Sequence, residues 1–262
     1  MEIRRLGWAG LEVTAQGHSL VVDYVEDGSP FLNAYWAGGT PNTPNASSPL
    51  AALVTHLHED HTDLAAIESV VGPTGTVLRP APFVGTPEEG LLTAENESRF
   101  AASGFDVRHT AEWESHKLGP FTVTAVPAID GLGDPQVSWV IEADGVRVLH
   151  GGDTMFHGYW WLIASRLGPI DVAALPVNGA VVNFPNLQPA SALPAAMSPA
   201  QAVQAAVSLR AEVLVPIHFG IVWPEAYQED SDPIPHVRAI AEASGQRVVV
   251  LDGGESFAIP AR

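Results

Sequence analysis

Four side chains that commonly bind metal ions lie close together in the run from His56 to His61. Residues 50–55 before this run are mostly apolar and predict a short buried strand, so the run begins where a strand ends. If the extended backbone continues, His56 and His58 project from the same face. Asp60 and His61 then lie on the turn into the next helix, where they would bind a second ion beside the first.

The alternative interpretation is a set of surface histidines at a helix N-terminus, where Asp60 would only favour the helix dipole. One histidine would fit this alternative easily, but three histidines and an aspartate in one short loop favour a metal site. The chain has no cysteine, so thiolate ligands and a cysteine nucleophile are excluded. Any metal ion would therefore be held by imidazole and carboxylate groups.

The segment from Thr55 to His61 resembles the HxHxDH signature of the metallo-β-lactamase superfamily. Later segments resemble the motifs that supply the bridging aspartate, here Asp153, and the last metal-binding histidine, here His218. These two segments are Gly151-Gly152-Asp153-Thr154 and Val215-Pro216-Ile217-His218-Phe219-Gly220. Residues 175–179 and 197–199 further resemble the branch that contains ascorbate-6-phosphate lactonase-like proteins. The resemblance covers essentially the whole chain and implies an α/β fold, a four-layer αββα sandwich with its site at one edge of two sheets.

The resemblance also implies a metal-dependent hydrolase with one or two divalent metal ions. Zinc and manganese are the expected metals, and iron is a further candidate. Two ions held side by side activate a bridging water molecule and polarise the substrate, so Asp60, His61 and Asp153 are the expected catalytic residues. The implied metal ligands are His56, His58, Asp60, His61, Asp130, Asp153 and His218.

One position departs from the family pattern. The family usually has a metal-binding histidine in a Pro-Ala-x-His-Gly stretch, and the matching residues 127–131 have Asp130 at that position. Direct coordination by Asp130 is the favoured interpretation, and its hard oxygen would shift preference toward manganese, iron or magnesium relative to zinc. Alternatively, its shorter reach leaves the first ion weak or absent, or the protein has lost hydrolytic activity. His109 and His116 are alternative donors, but their positions on or between strands favour ordinary surface histidines.

Three irregular segments, residues 27–49, 178–197 and 222–224, are expected to shape a substrate pocket near the metals. They contain several aromatic residues and no lysine or arginine. A phosphate-bearing substrate usually needs a cationic clamp, so a small ester, lactone or amide is favoured over a phosphoester. The alternative is that the aromatic side chains only pack the loops onto the body of the protein. The candidate substrate-binding residues are Trp36, His157, Asn178, Phe184 and Trp223.

The charge of the chain limits its partners. Thirty acidic residues against twelve basic ones give a formal net charge of −18. A field of this sign repels a polyanion and disfavours nucleic acid as a partner. No segment has the roughly 20 apolar residues of a membrane span, and the N-terminus lacks a secretion signal. We expect a cytoplasmic protein with a small-molecule substrate, and a homo-oligomer is left open.

Periodicity and turn residues predict one domain over residues 1–262, built from two similar αβ halves. A hairpin is expected across residues 16–18, a long loop over 27–49, and a second hairpin across residues 143–145. The other predicted strands cover residues 50–55, 105–109, 121–126, 138–142, 146–150, 171–175, 213–216, 248–251 and 256–259. The predicted helices cover residues 63–71, 88–103, 159–167, 199–210 and 235–244.

Two other functions remain open at this point. The same fold also hosts di-iron and mono-iron sites, so a metal-dependent oxidoreductase is one alternative, although the chain has no flavin domain. A catalytically inactive, metal-poor binding protein is the other, and Asp130 is the feature that favours it.

Overall fold

In the computed structural model, which describes residues 1–26, 29–39, 41–46, 48–86, 89–90 and 92–260, two seven-stranded sheets pack against each other. The first sheet contains β1 (Glu2–Arg5), β2 (Leu11–Ala15), β3 (His18–Val22), β4 (Ala52–Leu53), β5 (Thr76–Arg79), β6 (Asp106–His109) and β16 (Ser256–Ala258). Its strand order is β16-β1-β2-β3-β4-β5-β6. The pairings from β3 to β6 are parallel, and those from β16 to β3 are antiparallel.

The second sheet contains β7 (Ser115–Leu118), β8 (Phe121–Pro127), β9 (Val137–Ala143), β10 (Val146–His150), β11 (Val172–Pro176), β13 (Val213–Ile217) and β15 (Arg247–Val248). Its order is β15-β13-β11-β10-β9-β8-β7. Strands β7 to β10 pair antiparallel, and β10, β11, β13 and β15 pair parallel. A small separate ribbon pairs β12 (Val181–Val182) with β14 (Tyr227–Gln228).

Six helices in the described part of the chain complete the architecture. They are α1 (Pro30–Tyr35), α2 (Leu64–Val71), α3 (Ala94–Ala102), α4 (Trp160–Leu167), α5 (Pro199–Ser208) and α6 (Pro233–Ser244). None of the helices within these ranges is long and apolar enough to cross a bilayer.

Three apolar clusters show how the layers stack. The largest lies between the sheets and joins residues of both, such as Val13, Leu53 and Trp139. A second joins the other face of the second sheet to α4, α5 and α6, and a third joins the first sheet to α2 and α3. Helices, sheet, sheet and helices therefore form four layers, because each sheet face buries its apolar side chains against a neighbour. The predicted four-layer αββα sandwich is confirmed.

The layers bring several strand ends to one edge. Strand β9 runs antiparallel to both β8 and β10, so the carboxyl ends of β8 and β10 lie at the same edge of the second sheet. The residues after β4 join this edge, since the Val137 amide donates to the Thr55 carbonyl at 3.0 Å and the Trp139 indole donates to the Val54 carbonyl at 3.1 Å. In open α/β sheets, ligands bind beyond the carboxyl ends of the strands.

Most predicted elements are present, with shifted ends. Both hairpins are confirmed, as are the helices after residue 63 and after residue 198. Asp63 accepts bonds from the Ala65 and Ala66 amides, and Ser198 forms a capping box with Gln201, which explains why these helices begin where they do. The helix predicted over 88–103 begins only at Ala94, and part of its predicted first turn lies outside the described residues.

Some predictions were wrong. The long loop over 27–49 contains α1, because Ser29 accepts a bond from the Leu32 amide at 3.1 Å and Pro30 opens the helix. Strands β5, β7, β12 and β14 were not predicted, and two of them have only two residues.

Candidate metal centre

The seven side chains that the sequence predicts as ligands converge at this edge. Among the described residues, three overlapping groups of histidine and acidic side chains each have ligand atoms within 4.8 Å of one another. The groups share His56, His61 and Asp153, so they form one continuous cluster. The three groups are His56, His58, Asp130 and Asp153; His56, Asp60 and His61; and His61, Asp153 and His218.

The two histidines of the strand end turn their rings toward each other. His56 Nε2 lies 2.9 Å from His58 Nδ1, and the ring centroids are 4.3 Å apart. The outer nitrogens are held from behind: His56 Nδ1 lies 3.0 Å from Thr55 Oγ1, and His58 Nε2 lies 2.9 Å from Asp134 Oδ2. A ligand histidine commonly uses its second nitrogen in this way, which fixes the ring orientation.

Asp130 lies in the position where the family pattern has a histidine, and the structure places it beside His56 and His58. Its Oδ2 accepts bonds from the backbone amides of Leu132 at 3.0 Å and Asp134 at 2.7 Å. Its Oδ1 is buried and has no hydrogen-bond partner. The short turn after Asp130 therefore holds one carboxylate oxygen and leaves the other directed to the cluster. His109 and His116 belong to none of the three groups.

Asp60 and His61 are held by the first sheet and the loop between β1 and β2. His61 Nδ1 lies 2.8 Å from Asp23 Oδ2, and Asp23 also accepts bonds from the Thr55 amide at 2.8 Å and the Thr55 hydroxyl at 2.7 Å. The Trp8 indole donates to Asp60 Oδ2 at 3.0 Å. Asp23 and His61 side chains are fully buried, so this support is shielded from water.

His218 follows β13 and completes the cluster from the second sheet. Its Nε2 lies 3.6 Å from Asp60 Oδ2, which is too long for a hydrogen bond. Its φ of 58° lies in the left-handed region, and so does the φ of Asp23 at 46°. Such a conformation costs on the order of 1 kcal/mol for a residue with a side chain, and this kind of strain concentrates at functional sites. The His218 amide donates to the Trp8 carbonyl at 3.1 Å, which helps to hold the turn.

Asp153 lies between the two sides of the cluster and belongs to a group on each side. The two preceding glycines leave room for this approach. Gly152 has a φ of 65°, and a Cβ there would lie 2.8 Å from Thr55 Oγ1 and 2.6 Å from Gln136 Nε2. A larger residue would therefore clash with the strand end that carries His56, which gives a physical reason for glycine at this position.

The cluster has the unpaired atoms that a cation requires. Buried polar atoms without a hydrogen-bond partner are costly and need an explanation. Four of the seven side chains have such atoms: His61 Nε2, Asp130 Oδ1, Asp153 Oδ1 and both ring nitrogens of His218. Imidazole nitrogens and carboxylate oxygens are the ligands that divalent transition metals prefer. The residues present therefore fit one or two divalent ions.

The pKa values reflect several buried carboxylates in a small volume. Burial lowers the pKa of His58, but the charge of Asp130 and the hydrogen bond to Asp134 outweigh it and raise the pKa to about 10. Burial also lowers the pKa of His61, and the charges of Asp60 and Asp23 raise it to about 9. Burial and the neighbouring Asp130 raise the pKa of Asp153 to about 7. The cluster therefore favours positive charge at its centre.

A cavity of about 520 Å³ opens onto the cluster. Its polar floor includes His58, Asp60, Asp153 and His218. Its walls combine apolar residues with the polar residues Glu59, Thr62, Glu95, Asn96, Arg99 and Asn186. The apolar and aromatic wall residues are Pro30, Phe31, Leu92, Leu132, Ala180, Val182, Phe184, Pro185, Ala195, Ala196, Trp223 and Tyr227. This volume suits a small organic molecule.

Two of the five predicted substrate-binding residues line the cavity, and three do not. Phe184 and Trp223 line the cavity. Trp36, His157 and Asn178 do not belong to its lining: Trp36 donates to the Phe219 carbonyl at 3.2 Å, and His157 stacks on Trp160 with ring centroids 4.0 Å apart. Asn178 is fully buried beneath the wall, where it bonds to Tyr227. Aromatic and amide side chains in loops serve packing as readily as binding, so their type alone could not separate these roles.

Sequence reasoning missed several residues of the site. Asp23, Asp134 and Trp8 hold side chains of the cluster, and Tyr227 lines the cavity. Arg99 of α3 also lines the cavity, which corrects the expectation of a pocket without a cation. Its guanidinium pairs with Glu95 at 2.5 Å. An Asp at the end of a strand, such as Asp23 after β3, is the one sequence signal that could have suggested these supports.

Comparison with known proteins identifies the family. The family model described as beta-lactamase superfamily domain matches residues 18–219, which include all seven clustered side chains. The chain belongs to this superfamily. A relative in Symbiobacterium thermophilum, a UPF0173 metal-dependent hydrolase, is 28% identical over 99% of this chain and 100% of the relative.

Two solved structures have a similar fold. Igni18, a metallo hydrolase from Ignicoccus hospitalis, has a TM-score of 0.68 at 21% identity and covers 99% of both chains. CmlA, a diiron β-hydroxylase from Streptomyces venezuelae, has a TM-score of 0.73 at 16% identity and covers 98% of this chain and 54% of that chain. A metallo hydrolase and a diiron β-hydroxylase therefore share this fold, so the function of this chain must be argued from its site.

Proposed function

We propose that this protein is a metal-dependent hydrolase that acts on a small ester, lactone or amide. The observation that carries the proposal is the cluster of seven histidine and aspartate side chains, with unpaired buried atoms, at the floor of a cavity of about 520 Å³. The similarity to a metal-dependent hydrolase over essentially the full length of both chains supports it.

In this proposal the cluster would hold one or two divalent ions. His56, His58 and Asp130 would be the ligands on one side, Asp60, His61 and His218 on the other, and Asp153 would serve both sides. When bound, such ions polarise a substrate oxygen and lower the pKa of a water molecule to about 7.

The protein's own residues supply orientation and exclude water. Asp134, Asp23 and Trp8 hold His58, His61 and Asp60 from behind, so that each presents a defined atom to the centre. The apolar wall, which includes Phe184 and Trp223, leaves space for a substrate with an apolar body beside the cluster. A preorganised and partly desolvated site of this kind favours attack on a carbonyl carbon.

The metals proposed are zinc or manganese, with iron as the alternative. The oxygen of Asp130 makes one side of the cluster harder than a histidine would, which favours manganese or iron there. The same observation favours a metal-dependent oxidoreductase as the second candidate function, and the shared fold of the diiron β-hydroxylase is consistent with it. The proposal retains a cytoplasmic location, a small-molecule substrate and no nucleic-acid partner, the last because of the net charge of −18.

Metal analysis of protein purified without chelator, followed by a substrate panel, tests the proposal. The panel contains 4-nitrophenyl butyrate, δ-valerolactone, acetanilide and bis(4-nitrophenyl) phosphate. We expect hydrolysis of a carboxylic ester, lactone or amide. This activity should require the metal and should be lost when a chelator removes it. Iron absorption bands with oxygen or peroxide consumption, and no hydrolysis, would favour the oxidoreductase instead.

A further inference from the structure

Tyr227 is a buried polar residue in the cavity wall that the proposed metal chemistry does not use. Its side chain lines the same cavity as Asp60, Asp153 and His218, and the residue is only 8% exposed. The pairing of β14 with β12 places Tyr227 opposite Val182, another residue of the cavity wall.

Neighbouring aromatic rings restrict the orientation of Tyr227. The Phe31 ring centroid lies 5.4 Å away and the Phe184 centroid 6.4 Å away. Both phenylalanines line the cavity. The phenol ring therefore occupies a defined position between the cavity and the buried layer beneath it.

The hydrogen bonds around Asn178 show whether the Tyr227 hydroxyl acts there as a donor or as an acceptor. Asn178 Nδ2 lies 2.9 Å from the Tyr227 oxygen and 3.2 Å from Glu229 Oε1. The Glu229 carboxylate also accepts bonds from the amides of Gly220 at 2.8 Å and Ile221 at 3.1 Å. Since this carboxylate is acting as an acceptor, the Asn178 atom that faces it must be the NH₂ group.

It follows that Asn178 donates to the Tyr227 oxygen, so this bond does not use the hydroxyl proton of Tyr227. The structure shows no acceptor for this proton in the part of the chain that it describes. Burial, with the charges of Asp60 and Glu229, raises the pKa of Tyr227 well above its usual value. Tyr227 therefore keeps its proton at neutral pH and is available as a donor on the wall of the cavity.

We propose that Tyr227 is a catalytic residue that donates a hydrogen bond to the substrate carbonyl oxygen as negative charge develops on it. This assignment rests on the proposed hydrolase function. In ester hydrolysis the water oxygen forms a bond to the carbonyl carbon, and the π electron pair moves to the carbonyl oxygen. The carbonyl then re-forms, the bond to the leaving oxygen breaks, and that oxygen leaves with the electron pair and a proton derived from the water. Tyr227 donates a hydrogen bond throughout and transfers no proton.

The inference also limits the substrate class. A hydrogen-bond donor in the same cavity as the metal cluster serves a reaction in which an oxygen gains charge, as in the addition of water to an ester, lactone or amide carbonyl. The wall around Tyr227 is aromatic and apolar, with Phe31, Phe184 and Trp223. A carbonyl compound with an apolar acyl group therefore fits the site.

The test compares Tyr227→Phe with Tyr35→Phe in the metal-loaded full chain, using the panel member that the wild type hydrolyses fastest. Tyr227→Phe keeps the ring and removes only the hydroxyl. Tyr35 is a matched control, because its ring stacks on Trp223 at 4.3 Å in the same aromatic cluster but is not part of the cavity lining. We expect kcat to fall roughly 100-fold in Tyr227→Phe, the usual cost of one oxyanion donor, and to stay unchanged in Tyr35→Phe. KM should change less than about twofold, because the bond strengthens only in the transition state.

A second readout does not depend on turnover. Phenylphosphonate carries a tetrahedral anionic centre, so its Kd, measured by calorimetry, should rise about tenfold in Tyr227→Phe and stay unchanged in Tyr35→Phe. Metal content and Tm should match the wild type in both variants. A Tyr227→Phe protein with wild-type kcat and wild-type phenylphosphonate affinity would overturn the assignment of Tyr227 alone.

A fall in kcat that is accompanied by an equal loss of bound metal would also overturn it, because Tyr227 would then act by supporting the site. A wild-type protein that binds metal and hydrolyses no carbonyl member of the panel would overturn the proposed function, and the role of Tyr227 with it.

Discussion

The two sides of the cluster are built differently. The Asp130 side contains His56, His58 and Asp130, and two of these side chains, His58 and Asp130, are held by the turn from Asp130 to Asp134. The His218 side contains Asp60, His61 and His218, and its support comes from the fully buried Asp23 and from Trp8. Residues 130–136 form no helix or strand, whereas Asp23 and His218 directly follow strands.

This difference predicts unequal metal binding. The His218 side presents preoriented atoms on a rigid frame, so it should bind its ion more tightly. The Asp130 side is held by a turn and presents a hard carboxylate oxygen in the position of a histidine, so it should bind zinc more weakly. Asp153, shared by both sides, links the two affinities.

The largest effect is expected from Asp153→Ala, because this change removes the ligand that both sides share. Both ions should be lost, and metal-dependent turnover should fall by more than about 1000-fold, while the circular dichroism spectrum stays the same. Metal content and kcat are the measurements, and the exposed Asp106→Ala is the control. Retained turnover in Asp153→Ala would refute the bridging role.

His61→Ala removes a predicted ligand only from the His218 side, which is expected to bind its ion more tightly. Turnover should be abolished, because two ions must act together, and the metal content should fall by at least about one equivalent. His236→Ala is the matched control, since His236 is exposed and its ring nitrogen Nδ1 pairs with Asp230 Oδ1 at 2.6 Å, outside the cluster. If His61→Ala retained full metal content, the His218 side would not be a metal site.

Asp134→Asn tests the weaker side without touching a predicted ligand. Loss of the carboxylate charge behind His58 should weaken binding of one ion about tenfold and leave the other unchanged. Competition with a chromogenic chelator measures both affinities. Equal weakening of both ions would show that the two sides are not independently supported.

Asp130→His should have the smallest effect on turnover and should make the two sides alike. We expect the variant to fold and to prefer zinc over manganese by about tenfold more than the wild type does. Paired titrations with the two metals provide the measurement. Loss of all metal in this variant would mean that the ligand at position 130 has been misassigned.

How much of the site the sequence predicts depends on how local each interaction is. The run from His56 to His61 is predictable because its ligands are neighbours in sequence and follow a buried strand. Asp130 was placed through the surrounding Pro-Ala-x-x-Gly pattern, and the structure brings it into the cluster. Asp134 and Asp23 were missed because each lies far in sequence from the histidine that it supports. Asp134 is 76 positions from His58, and Asp23 is 38 positions from His61.

The fold follows the same rule. Hairpins and capped helices were predicted because their signals are local, as in the capping box of Ser198 and Gln201. Strands β12 and β14 were missed because two residues each are too few to show an alternating pattern. Their pairing nevertheless positions Tyr227 in the cavity wall. Arg99 was missed as a cavity residue because it lies on helix α3, outside the loops that were expected to shape the pocket.

Metal stoichiometry of the wild type tests the central claim most directly. The protein is purified without chelator and analysed by inductively coupled plasma mass spectrometry, then stripped and titrated with manganese or zinc. The account predicts about two equivalents per chain, bound in two steps of unequal affinity. Less than about a tenth of an equivalent, with no binding on titration, would contradict a metal-dependent enzyme.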